Sequence, residues 1–300
     1  MEHTSHSNAV APHTLYVVAT PIGHLGDLSP RAREVLMGVD AILCEDTRHT
    51  QKLLNAIGAR TPMLSFHEHN EKQRVDELLQ RLSEGQSLAL VSDAGTPLIS
   101  DPGFRLVQAA HEWRPREIHV VTIPGPSAVI AALSIAGVPT DRFVFEGFLP
   151  NSDAKVRQTL TDARVESRTM VFYEAPHRIK NTLKIASECF GPDRSAVLAR
   201  ELTKRFECVY KGTLAQLNDL AISDPNMARG ELVLIIEGAD RSDPARDEQP
   251  WRPALELFLS QLPVRTAVDW VCQLYGVKRN PVYEAAIAHK SAAPQNPNEP

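Results

Sequence analysis

Five short apolar runs in the first half of the chain each break into a loop of small, polar or acidic residues and then into an amphipathic stretch. That alternation constrains the fold more than any other feature of the sequence. It is the strand–loop–helix rhythm of a parallel sheet, whose neighbouring strands need a crossover between them. The runs predicted as strands are 15–19, 41–44, 63–66, 88–92 and 118–123. The loops behind them read TPIGHLGD, EDTRHT, HEHNE, DAGTPLISDPG and PGPSA. Ligands of open α/β sheets bind outside the carboxyl ends of the strands, so these loops are expected to share one rim.

The second half has more β character. FVFEGFLP (143–150) reads as a strand entering a second domain, and 169–173, 195–200, 206–211 and 231–237 read as further strands. The pair flanking ELTKR is short enough to be antiparallel. Helical stretches are predicted at 254–260, 264–275 and 281–290, the middle one with a stripe of Ala267, Val268, Val271, Leu274 and Tyr275. The domain plan is an extension at 1–13 expected to be disordered, an α/β domain at 14–142 and a mixed α/β domain at 143–239. A linker at 240–253, a helix-turn-helix-like appendage at 254–290 and a disordered tail at 291–300 follow.

Charge and composition narrow the function. The net charge of −5 excludes a generally basic polyanion binder, but residues 153–211 carry a local +4 and 252–300 a local +1. Any polyanion is therefore expected on the second domain and the tail. No apolar run approaches the roughly 20 residues of a membrane helix, and residues 1–12 lack a signal-peptide centre, which implies a cytoplasmic protein. Cys44, Cys189, Cys208 and Cys272 are widely spaced with no C-x-x-C, so neither a metal site nor a disulfide framework is expected.

Three loops carry chemistry. TPIGHLGD follows a strand directly but is not G-x-G-x-x-G, and no P-loop lysine occurs, which disfavours nicotinamide or ATP chemistry. SDAGTPLISDPG (92–103) is a Gly-lined carboxylate loop suited to the amino and hydroxyl groups of a small zwitterion; Asp93 and Asp101 read equally well as capping or turn residues. IPGPSA ends a strand and opens a helix, so Ser127 and free N–H groups can hold a carboxylate, with a plain N-cap as the alternative.

Together these segments, with CEDTRHT, SFHEHNE, FEGFLP, YEAPHR, ARELTKRFE, YKGTL and GELVLIIEG, resemble the ribosomal RNA small subunit methyltransferase I family of the tetrapyrrole methylase superfamily. The resemblance runs nearly end to end. It implies a homodimer of two α/β domains, parallel-sheet then mixed-sheet, with a small C-terminal helical appendage. It further implies S-adenosylmethionine as cofactor, no metal, and 2′-O-methylation of a cytidine in the decoding centre of 16S rRNA in the small ribosomal subunit.

Carried across, the cofactor site is Pro21, Asp93, Ala94, Gly95 and Thr96, then Ser127 and Ala128. Tyr173, Arg200, Glu231 and Leu232 join it from the second domain. Removing the ribose proton needs a base, for which Glu45, Asp46, His67, Glu174, His177 and Glu201 are candidates. Phosphate contacts are expected from Arg48, Arg178, Lys204 and Arg205, with Arg200 a further cation and Lys278 and Arg279 in the appendage. His67 and His69 are not expected to pair on a metal, because alternate residues of a strand face opposite ways. The sequence leaves two rival functions open: methylation of a tetrapyrrole or other small acceptor, and a non-catalytic ribosome assembly factor.

Overall fold

A computed structural model describes residues 10–114, 117–239 and 251–292. The expectations for residues 1–9, for 240–250 of the linker and for 293–300 of the tail lie outside the described residues. The chain divides into two compact units, Met1–Gly238 and Ala239–Pro300.

The first unit holds two five-stranded sheets. The first is wholly parallel, in the order β3-β2-β4-β1-β5, from β1 (Thr14–Val18), β2 (Ala41–Cys44), β3 (Met63–Ser65), β4 (Ser87–Leu90) and β5 (His119–Ile123). Every residue of β2 and β4 is buried, which is why they read as unbroken apolar runs rather than alternating ones. The crossovers are α1 (Pro30–Gly38), α2 (Thr47–Ile57), α3 (Glu68–Ser83) and α4 (Phe104–Glu112), with α5 (Ala128–Ala136) leading out. Local sequence sets their ends. The Ser29 hydroxyl accepts from Ala32 N–H with Pro30 in the first turn of α1, and Asp46 accepts from Arg48 N–H before α2. Gly58 then closes α2 in the left-handed conformation, at φ +75°.

The second sheet has the order β6-β7-β10-β8-β9, from β6 (Phe143–Phe148), β7 (Thr169–Glu174), β8 (Ser195–Arg200), β9 (Cys208–Thr213) and β10 (Leu232–Ile236). It is mixed: β6 is parallel to β7, whereas β10 is antiparallel to β7 and β8, and β9 is antiparallel to β8. One face packs Met170, Phe172, Leu198 and Leu234 against α6 (Asp153–Asp162), α7 (Ile179–Phe190) and α8 (Leu214–Ser223). The other face packs Val171, Val197, Val233 and Ile235 against Val129, Ala132 and Leu133 of α5. The helix that follows the first sheet in sequence thus serves the second, which welds the two sheets into one unit.

Strand β9 begins two residues later than its apolar pattern suggests. The preceding turn holds Glu201 and Thr203 at φ +51° and +63°, and Phe206 points to solvent, 62 % exposed.

In the second unit α9 (Arg252–Leu259), α10 (Val264–Tyr275) and α11 (Arg279–Ala292) surround Trp251, Leu255, Val268, Val271 and Val282. The stripe on α10 is shorter than expected: Ala267, Val268 and Val271 are buried, but Leu274 is 66 % exposed and Tyr275 also faces solvent. Gly276, at φ +64°, turns the chain before α11.

Candidate functional site

Hydrogen bonds knit the strand ends of the first sheet into one rim. Thr20 and Gly95 exchange main-chain bonds of 2.8 and 3.0 Å, joining the loops after β1 and β4. The Thr96 hydroxyl donates to the Pro126 carbonyl at 2.9 Å and adds the loop after β5. Asp46 N–H donates to the Asp93 carboxylate at 3.2 Å and adds the loop after β2.

The 92–103 loop reaches this course only through left-handed backbone. Gly95 and Gly103 lie at φ +84° and +130°, and the non-glycines Leu98 and Ser100 at +73° and +68°. Each strained non-glycine costs about 1–3 kcal/mol, tolerable only where the surroundings fix it. Glu71 does part of that fixing: buried on α3, it accepts from Gly103 N–H at 3.2 Å and Arg105 N–H at 3.1 Å. Sequence reasoning missed Glu71, because its partner helix is set only by the fold.

A cavity of about 410 Å³ opens under this rim. Asp93, Ala94, Gly95, Thr96, Ser127 and Ala128 line it from the first-sheet loops, and Tyr173, Glu231 and Leu232 from the second sheet. Two residues expected with them stand elsewhere. Pro21 lines a neighbouring cavity, and Arg200 lines neither. Ser127 occupies the N-cap position of α5, its hydroxyl makes no capping bond, and the residue lines the cavity.

Among the described residues lining this cavity none is Lys, Arg or His, whereas Asp93, Asp101 and Glu231 all contribute. Burial pushes the Asp101 carboxyl up to about 6; a Ser92 hydrogen bond opposes the shift, and Glu45 and Asp93 add to it. Partial burial, then Asp93, likewise raises Glu45. Burial and Asp101 push the Tyr173 phenol up to about 12. Its ring meets Phe145 and Phe148 edge-on at 4.9 and 5.3 Å. Phe148 and Tyr173 thus add aromatic surface to a cavity that also carries carboxylates, a lining that suits a cation with an apolar ring.

Several expected bases and cations turn out to be engaged with each other. Glu174, fully buried, takes the Arg178 guanidinium at 2.5 Å, Ala175 N–H at 2.6 Å and the Thr182 hydroxyl at 2.6 Å. Arg178 also donates to the carbonyls of Leu149 and Pro150. The pair straps the YEAPHR turn to the end of β6, so neither a free proton acceptor nor an open phosphate contact stands there. Glu201 holds Lys204 at 2.8 Å and Glu231 N–H at 3.0 Å, and the lysine bond draws its carboxyl down. Arg48 holds Asp46 at about 2 by a side-chain hydrogen bond, too low for a useful base.

The remaining candidates are dispersed. His177 is exposed and lines neither cavity. Arg205 is exposed and lies 5.5 Å over the Phe206 ring. In the second unit Arg279 pairs with Asp269, and Lys278 precedes α11. His67 and His69 correct the strand argument made for them: β3 ends at Ser65, so they open α3 with ring centroids 6.0 Å apart. No group of three or more His, Cys, Asp or Glu arranged for a metal occurs among the described residues.

This architecture has counterparts. Residues 14–218 match the family described as Tetrapyrrole (Corrin/Porphyrin) Methylases. Ribosomal RNA small subunit methyltransferase I of Xylella fastidiosa is 49 % identical over 91 % of this chain and 98 % of its own. Its namesake in Pseudomonas aeruginosa is 46 % identical over 91 % and 96 %. The chain belongs to the ribosomal RNA small subunit methyltransferase I family, within the tetrapyrrole methylases. Among solved structures, the methyltransferase CobJ superposes with a TM-score of 0.56 at 21 % identity, over 77 % of this chain and 97 % of that one. Diphthine synthase gives 0.55 at 14 %, over 75 % and 89 %. At these identities the likeness is one of fold. The tetrapyrrole methylase match ends inside α8, whereas the similarity to the small subunit methyltransferases covers nine-tenths of the chain.

Proposed function

We propose that the protein transfers a methyl group from S-adenosylmethionine to the ribose 2′-hydroxyl of a cytidine in the decoding centre of 16S rRNA, acting on the small ribosomal subunit in the cytoplasm. The observation that carries this is the acid-lined cavity with no cation among its described lining residues, in a chain half identical to enzymes named for small-subunit rRNA. When bound, S-adenosylmethionine supplies an electrophilic methyl group whose bonding pair leaves with sulfur as the new oxygen–carbon bond forms. Asp93, Asp101 and Glu231 offset a positive charge there. The Ser127 hydroxyl and the first N–H groups of α5 offer donors to a carboxylate. Phe148 and Tyr173 give an apolar wall to a ring.

The ribose proton needs an acceptor, and Glu45 is the expected base best suited to it. It follows β2 directly, and partial burial and then Asp93 raise its carboxyl above the ordinary carboxylate range, although it lines neither cavity. The cations expected to meet phosphate are Arg48, exposed although paired with Asp46, Lys204 in the wall of the neighbouring cavity, exposed Arg205, and Lys278 and Arg279 on the appendage. Phe104 and Ile130 expose apolar side chains on the first unit, surface of the kind a second copy covers in the expected homodimer.

Labelled cofactor offered in parallel to assembled small subunits and to free 16S rRNA tests the proposal. A net charge of −5 gives weak sequence-independent attraction for RNA, so recognition should depend on a preformed surface. Subunits should be labelled well and free RNA poorly. Absence of label from both, with calorimetric cofactor binding intact, would overturn it.

A further inference from the structure

A second cavity of about 410 Å³ adjoins the first, and the two share Ile22, Asp93, Ala94 and Glu231 as a common wall. We infer that this second cavity receives the acceptor nucleotide, with its ribose at the Asp93–Glu231 junction and a flanking phosphate on Lys52. The inference rests on the proposed methyl transfer to RNA and adds to it where the RNA enters.

Reactants of a group transfer must approach within about 3–3.5 Å in a fixed orientation. A chamber holding the acceptor must therefore adjoin the chamber holding the donor, and these two share four lining residues. The two linings differ in chemistry. The first presents carboxylates and no cation among the described residues, an environment hostile to phosphate. The second adds His49, Lys52 and Lys204. Asp93 and Glu231 belong to both cavities and so mark the junction, whereas His49 and Lys52 belong to the second alone.

The cations are prepared differently. Lys52, on α2, is exposed and makes no ion pair among the described residues. It is free to meet a phosphate. Lys204 is pinned between Glu201 at 2.8 Å and Glu231 at 3.1 Å; burial disfavours its charge, but the two carboxylates hold the ammonium above its ordinary range. It serves as a fixed donor in the wall. That wall is preformed. Gly23 lies so close to the 202–204 turn that a Cβ there would sit 2.5 Å from Lys204 Cγ, and His24 N–H donates to the Thr203 hydroxyl at 3.0 Å. Leu25, Leu53 and Ala56 supply an apolar side for a base. The volume falls within the roughly 300–1,000 Å³ of single-ligand pockets.

Two substitutions on α2 test the assignment without touching the donor cavity. Ala56 is exposed, so Ala56→Trp fills the second cavity without disturbing the core, and Lys52→Gln removes the phosphate partner. Both variants should bind S-adenosylmethionine within twofold of the parent by calorimetry. Ala56→Trp should raise KM for small subunits at least tenfold. Lys52→Gln should weaken subunit binding and lower its log–log salt slope by about 1, as expected for one lost phosphate contact. If both variants methylate subunits with parental kcat/KM and salt slope, the acceptor enters elsewhere and the proposed function stands. If the parent protein transfers no methyl to subunits, the proposed function falls and the assignment falls with it.

Discussion

Asp101 shows how a single side chain sets the behaviour of the site. Burial holds its carboxyl near 6, so it ionises between pH 5 and 7. By itself this is a raised carboxylate: the folded state keeps a proton that the unfolded chain gives up. Stability therefore falls as pH rises from about 4, the unfolded value, through about 6. A cationic ligand reverses the preference by favouring the ionised form. Cofactor affinity is expected to rise between pH 5 and 7, with proton release on binding near pH 6. Calorimetry in buffers of different ionisation heats measures both, and Asp101→Asn should flatten the profile. A parental affinity that does not change across that range would remove Asp101 from the ligand's surroundings. Residues of this kind were legible in the sequence where a strand ran straight into its loop, as at Asp93, Gly95 and Ser127. Glu71 and Lys52 were not, because their relevance comes from helices that fold back over a rim several loops away. Glu174 and Arg178 looked like free chemistry in YEAPHR, since sequence cannot show that two groups four residues apart satisfy each other.

Among the elements, the 201–207 turn depends closely on its neighbour. Glu201 and Thr203 are both left-handed, and the Glu201 carboxylate lies over Gly230, itself at φ +78°, where a Cβ would come 2.4 Å from Glu201 Cδ. Gly230→Ala is expected to destabilise the protein by about 2 kcal/mol or more, from backbone strain and displaced packing. It should also weaken cofactor binding, because Glu231 follows directly and lines the cavity. Urea denaturation and calorimetry check the two effects, and an unperturbed variant would show that the turn is slack. The strands themselves were readable because doubly covered parallel strands are runs of apolar residues. The start of β9 was not, since FECVY continues an apolar alternation while the turn before it keeps Phe206 out of the ladder. The stripe on α10 failed at Leu274 and Tyr275 for a related reason: periodicity gives the face of a helix but not how far its covering extends.

At the scale of the whole molecule, the two cavities are lined by residues no later than Val233, within the first compact unit. Deleting residues 251–300 should leave S-adenosylmethionine affinity within twofold while weakening subunit binding, with only a modest change in salt slope because few cations are lost. Full methylation by the truncated chain at low subunit concentration would make the appendage dispensable for recognition. The fold class could be read from strand rhythm, but which sheet α5 serves could not, because that depends on contacts across the whole unit. Substrate chemistry is the central claim, and nucleoside mass spectrometry tests it most directly. Small subunits lacking the modification are incubated with the protein and S-adenosylmethionine, and their 16S rRNA is digested and mapped. The expected product is a single 2′-O-methylcytidine that blocks alkaline cleavage at its 3′ phosphodiester. A methyl group on a base, or on no nucleoside of the rRNA, would contradict it.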